Sequence, residues 1–147
     1  MKLIVVNKTK DLNTRRLEAF YKKIQTEFLR KNVRNKNLLV EKKELTLVFL
    51  NKPEMKRINF QFRRINKPTD VLSFKSEDRA SLGELLFCSE VLKIQARQQK
   101  HSFEQEFIYM LIHGLLHLLG YDHELSKKEE KRMFHLQDQC FKQFNQR

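Results

Sequence analysis

The run His113–His123, HGLLHLLGYDH, holds three of the chain's five histidines and two of its three glycines. On a helix, His113 and His117 lie four residues apart, and so share one face, one turn from each other. Gly120 follows three residues later, where glycine lets a helix stop in a left-handed conformation without a Cβ clash. The chain can then fold back and deliver His123 to the first two. Three imidazoles from one helix and its turn make an open tetrahedral zinc site, with the fourth position left for water. A lone histidine on an apolar helix is ordinarily a satisfied core residue. The full pattern, H-x3-H-x2-G-x2-H, is better explained by a shared metal, which takes up one nitrogen of each ring. All-nitrogen donors suit zinc best, and nickel, copper and iron accept the same set.

Zinc proteases of the metzincin group use the same spacing, with a glutamate after the first histidine as general base. Here that position is Gly114, and no other carboxylate is placed by sequence to replace it. Asp122, beside His123, reads as closing the turn. His101 and His135 are the remaining histidines that could close the fourth metal position and make the site structural.

The elements that must carry these residues are legible in the hydrophobic pattern. Lys2–Val6 reads as a strand, and Thr14 as the cap of a helix to about Arg30 with Leu17, Phe20, Tyr21, Ile24 and Phe28 on its apolar face. Lys31–Lys43 reads mainly as loop, with an edge strand possible around Leu38–Val40. Leu45–Leu50 (LTLVFL) is a central strand. Pro53 opens a helix that buries Met55, Ile58 and Phe62 and ends before Pro68. Val71–Phe74 is a strand, and Gly83 precedes another, Glu84–Cys88. Ser89 starts a helix ending near Lys100. Ser102 and Gln105 form a capping box for the helix through Phe107–Leu119, which is apolar almost all round and therefore buried on every side. Ser126 with Glu129 caps a last helix that turns Met133, Leu136, Cys140 and Phe144 inward. The pattern predicts one α+β domain over 1–147, a small mixed sheet of about four strands packed by about five helices, with the metal site on the buried central helix.

Composition narrows the class. Of 147 residues, 40% are hydrophobic and 33% charged, which is globular but polar. Thirty Lys and Arg against eighteen Asp and Glu leave a formal charge of +12, a field that favours polyanions, nucleic acid first. A lysine-rich genome would account for part of that excess. Cys88 and Cys140 have no metal-like spacing and fit a reduced compartment. Leu3–Val6 is too short for a signal peptide and Phe107–Leu119 too short for a membrane span, so a soluble cytoplasmic protein without a membrane partner is expected. The phenylalanines fall at core-like spacing.

HGLLHLLGYDH, together with NKPTDVLSF (Asn66–Phe74) and the intervening GELLFC (Gly83–Cys88), resembles the YbeY family of bacterial rRNA-maturation endoribonucleases. The likeness runs in order from about Leu45 to Glu129. Two departures stand out: Lys75 where the family usually has proline, and Glu84 where it commonly has aspartate. The resemblance implies a zincin-like fold, one zinc ion per chain on His113, His117 and His123, and cleavage of single-stranded RNA. It further implies maturation of ribosomal RNA precursors, including the 3′ end of 16S rRNA, quality control of ribosomal subunits, and a cytoplasmic location. The family's functionally important arginine falls on Arg63, with Arg64 as the adjacent alternative. Arg63 and His117 are therefore expected in catalysis, and Arg63, Arg64 and Lys67 in substrate binding.

The chemistry supports RNA partly on its own. Phosphodiester cleavage develops negative charge on phosphoryl oxygens, which a zinc ion and an arginine can both stabilise, and neither role needs a carboxylate base. By pattern alone, Arg63 reads as a solvated helix cation. Asp70 and Ser73 either orient the site or cap a turn. A zincin-type metallohydrolase or protease, and a zinc-containing ribosome assembly factor without catalysis, are the alternatives to an endoribonuclease.

Overall fold

LTLVFL alternates its side chains between two faces, and both faces are covered. The computed structural model of the chain describes residues 1–7 and 12–145. In it this run lies in strand β2 (Glu44–Leu50), between β1 (Lys2–Asn7) and β4 (Ser81–Cys88), with β3 (Val71–Lys75) at the edge beyond β4. β1, β2 and β4 run parallel, and β3 pairs antiparallel with β4. Odd-numbered Leu45, Leu47, Phe49, Leu85 and Phe87 enter the main core. Even-numbered Leu50, Leu86 and Cys88 enter a smaller one with Met55 and Leu72. The pleat makes this division, since successive residues point to opposite faces.

The helices are α1 (Thr14–Arg30), α2 (Leu38–Glu41), α3 (Lys52–Arg63), α4 (Ser89–Gln99), α5 (Phe103–Leu118) and α6 (Lys127–Asn145). α5 is the element around which the rest packs: it touches β3, β4, α4 and α6. Its surface, apolar almost all round beyond the first turn, requires that burial. Phe107, Leu111, Leu115 and Leu116 are shut off from solvent. The capping box expected at its start is present: Ser102 Oγ accepts from the Gln105 N–H at 3.1 Å and Gln105 Oε1 from the Ser102 N–H at 2.8 Å. No helix among the described residues is long and apolar enough to cross a membrane.

The structure corrects several expectations. Lys31–Lys43 contains no strand; Leu38–Glu41 forms a short helix that buries Leu39, which brings the helices among the described residues to six where about five were expected. α1 is capped by Asn13, whose side chain accepts from the Arg16 N–H at 2.9 Å, which makes Thr14 the first helical residue. Gly83 lies within β4, opposite Lys75, instead of ahead of the strand. Phe62 is not buried but 60% exposed. The buried stripe of α3 runs through Met55 and Asn59, and the Asn59 amide donates to the Lys67 carbonyl at 2.9 Å. Phe62 lies in the last turn, where its ring meets only Phe74 among the described aromatic rings, edge-to-face at 5.1 Å.

Candidate metal centre

Helical spacing places His113 and His117 one turn apart, and their Nε2 atoms are 3.1 Å from each other. α5 then ends in a Schellman turn. The Gly120 N–H donates to the His117 carbonyl and the Tyr121 N–H to the Leu116 carbonyl, each at 3.0 Å. Gly120 has φ +104°, a conformation that side chains with a Cβ rarely adopt. The reversed chain brings the His123 ring to 5.4 Å from that of His113 and 5.2 Å from that of His117. One nitrogen of each ring lies within 4.8 Å of the others. The three histidines singled out by spacing are thus brought together.

A distant segment holds this turn. Arg34, between α1 and α2, donates from Nη1 to the Gly120 carbonyl at 2.9 Å and pairs with Glu129 at 2.7 Å. Its guanidinium covers the Tyr121 ring at 4.4 Å, and its backbone N–H donates to the Tyr121 hydroxyl at 2.9 Å. Asn35 Nδ2 donates to the Leu119 carbonyl at 2.9 Å. The carbonyls left free where α5 ends therefore find partners from about 85 residues upstream, as the separations of 84 and 86 show.

The protonation pattern suits a cation. Gln137, fully buried on α6, donates from Nε2 to the Tyr109 carbonyl at 3.1 Å, which turns its Oε1 towards His113 Nδ1 at 2.9 Å. An amide oxygen only accepts, so His113 Nδ1 carries the proton and Nε2 presents a lone pair to the cluster. Burial holds the His113 pKa below its ordinary value, against the Gln137 hydrogen bond. Burial also lowers His117, to about 4, helped by the neighbouring His113 and His123 rings and opposed by a hydrogen bond with the Tyr121 backbone. His123 Nδ1 is buried and has no hydrogen-bond partner. Converging imidazoles with an orphaned nitrogen are what a zinc-type ion would satisfy.

No fourth protein ligand joins them among the described residues. His101 Nδ1 lies 3.5 Å from Glu106 Oε1, and His135 is exposed on α6. Gly114, where a metzincin carries its glutamate, faces the sheet. A Cβ there would come within 2.8 Å of Leu85 Cδ2, in the core.

The histidines line a cleft of about 1330 Å³. Arg63 lines it too, and its Nη2 lies 3.2 Å from Glu124 Oε1, one residue past His123. Arg64 and Lys67 are not among the lining residues. Arg64 takes a left-handed conformation at the end of α3, with φ +60°, and Lys67 offers its carbonyl to Asn59. Asp70 in the cleft accepts from its neighbour's Val71 N–H at 2.7 Å and from Gln95 Nε2 at 3.1 Å. Ser73 Oγ donates to the Gly114 carbonyl at 3.4 Å, and Asp122 closes the turn by accepting from the Glu124 N–H at 2.9 Å. Sequence reasoning missed Gln137, Glu124 and the Arg34 clamp. Gln137 was detectable only as a polar residue on the apolar stripe of α6, one position after Leu136 and three before Cys140.

Known proteins resemble this chain in sequence and fold. Residues 4–145 match the family model described as Endoribonuclease YbeY, well beyond the Leu45–Glu129 span of the motifs. A relative from Bdellovibrio bacteriovorus named Endoribonuclease YbeY is 46% identical over 142 residues, covering 96% of this chain and 93% of its own. One of the same name from Thermosipho melanesiensis is 38% identical over 109 residues, 74% of this chain and 79% of its own. The solution structure of TM1509 from Thermotoga maritima superposes with a TM-score of 0.63 at 30% identity, covering 95% of this chain and 87% of that one. With the family model spanning nearly the whole chain and the three histidines gathered at one point, this protein belongs to the YbeY endoribonuclease family.

Proposed function

We propose that the chain is a zinc-dependent endoribonuclease that cuts single-stranded RNA, with ribosomal RNA precursors, including the 3′ end of 16S rRNA, as its substrates. In this reading its partners are ribosomal subunits and its place is the cytoplasm. One observation carries it: three histidines converge in an open cleft with no fourth protein ligand among the described residues. A structural zinc site would be closed by a fourth side chain. Gly114 weighs against peptide hydrolysis, since its surroundings leave no space for a glutamate.

His113, His117 and His123 would hold the ion, one per chain, which supplies Lewis-acid chemistry at a phosphodiester. Arg63, within the same cleft, is suited to hold a non-bridging phosphate oxygen as charge grows on it. Its present partner, Glu124, is an exposed carboxylate that a phosphate can displace. Gln137 keeps the His113 lone pair aimed at the cluster. Arg64 and Lys67, outside the cleft lining, would contribute through the backbone of a longer RNA. The test is cleavage of an unstructured RNA by purified protein, with and without chelator, beside His117→Ala and Arg63→Ala. Loss of cutting in all three is expected, with restoration by zinc after chelation; undiminished cutting by metal-free protein would overturn the metal-dependent reading.

A further inference from the structure

The end of α3 exposes an aromatic ring where a globular core has no use for one. Phe62 is 60% exposed and lines the same cleft as the histidines. Its edge-to-face contact with Phe74, at 5.1 Å and 65°, holds the ring against the edge strand while leaving most of its surface to solvent. Two cations line the cleft with it, Arg63 next in the chain and Lys75 next to Phe74, and Arg64 follows at the helix end; the carboxylates lining the cleft are Asp70, Glu106, Asp122, Glu124 and Asp138. Of these carboxylates, Glu124 is the one engaged by Arg63. Arg63 is thus a link between Phe62, its chain neighbour, and the metal cluster, because Glu124 directly follows His123.

We infer that Phe62, braced by Phe74, is a stacking platform for one nucleobase of the single-stranded RNA entering the cleft. An exposed aromatic face beside cations is how proteins hold single strands without reading sequence, since every base has a π-face and every linkage a charge. Stacking on Phe62 sets the register in which an adjacent phosphate replaces Glu124 on Arg63. The requirement for an unstacked base also explains a preference for single strands, because a paired base cannot lie on the ring. An apolar protein partner would fit the ring but not Arg63 beside it.

This inference rests on the endoribonuclease reading and deepens it, so the experiment separates the two. Steady-state cleavage of a single-stranded oligoribonucleotide would be measured for the zinc-loaded wild type, Phe62→Ala, Phe62→Leu and Phe62→Tyr. Versions carrying 2-aminopurine or an abasic unit at successive positions would report stacking. Loss of one stacked base predicts a KM raised about tenfold for Phe62→Ala and Phe62→Leu. Metal content should not change, kcat should stay within about twofold, and Phe62→Tyr should restore KM. In the wild type, 2-aminopurine at one position should be quenched on binding, and an abasic unit there should erase the difference between wild type and Phe62→Ala. Unchanged KM in Phe62→Leu, which keeps the apolar bulk and removes the ring, would overturn the platform while leaving the endoribonuclease reading intact. A wild type that cuts no RNA would overturn both.

Discussion

Arg63 and Glu124 form an ion pair at 3.2 Å across the mouth of the cleft, with 43% of one side chain and 64% of the other exposed. A pair this exposed contributes little to stability, about 0–1 kcal/mol, but it occupies the cation best placed to meet a phosphate. Glu124→Gln should therefore leave the thermal midpoint almost unmoved and lower the KM for single-stranded RNA severalfold at low salt. Arg63→Ala should fold equally well and lose on the order of 10²-fold in kcat, as removal of a transition-state donor does. Kinetics and thermal unfolding of the two variants check this. Equal activity of Arg63→Ala and wild type would exclude Arg63 from the reaction.

Gln137 has no contact with solvent, yet its amide aligns His113. Gln137→Leu keeps the bulk and removes the acceptor, so His113 Nδ1 loses the bond that sets its tautomer. Zinc affinity, read by competition with a chromophoric chelator, should fall about 10–100-fold. Gln137→Glu, which retains the acceptor, should bind more tightly than Gln137→Leu. Wild-type affinity in Gln137→Leu would show that the metal alone orients the ring.

In the metal-free protein, His113 is buried and His117 half-buried, and both resist protonation, His117 down to a pH of about 4 against an ordinary value of 6.5. Between those limits the unfolded chain binds more protons than the folded one, so stability rises with pH through that window and is lost on acidification. Chelator-treated protein should melt at progressively lower temperature as pH falls from about 6.5 towards about 4. His117→Gln should show a shallower fall over the same range. Thermal melts at matched ionic strength provide the comparison, and identical slopes would assign the acid sensitivity to other groups.

Gly114 tests why the protease glutamate is missing. A side chain there meets Leu85 in the closed core between α5 and β4. Gly114→Glu should be strongly destabilised, by several kcal/mol, because it forces a charge into a packed apolar interface. No peptide hydrolysis should appear. Denaturant unfolding and a casein-digestion assay measure the two consequences. A stable, proteolytic Gly114→Glu would mean that the site accepts a protease geometry after all.

Much of the centre was legible because its determinants are local. The i, i+4 spacing of His113 and His117, the capping box at Ser102 and the glycine stop at Gly120 act within a turn or two of chain, where periodicity and backbone sterics decide the outcome. The α+β class and the four strands followed for the same reason. Phe62 was misassigned because helical periodicity gives the direction of a side chain but not whether another element extends far enough to cover it. Gln137 and Arg34 were missed because their roles depend on partners 24 and 86 residues away. The sequence by itself determined which three histidines meet and what class of ion they suit. Tertiary structure alone decided which nitrogen of His113 faces the cluster, which arginine lines the cleft and which phenylalanine is left bare, since each of these depends on packing between segments remote in the chain.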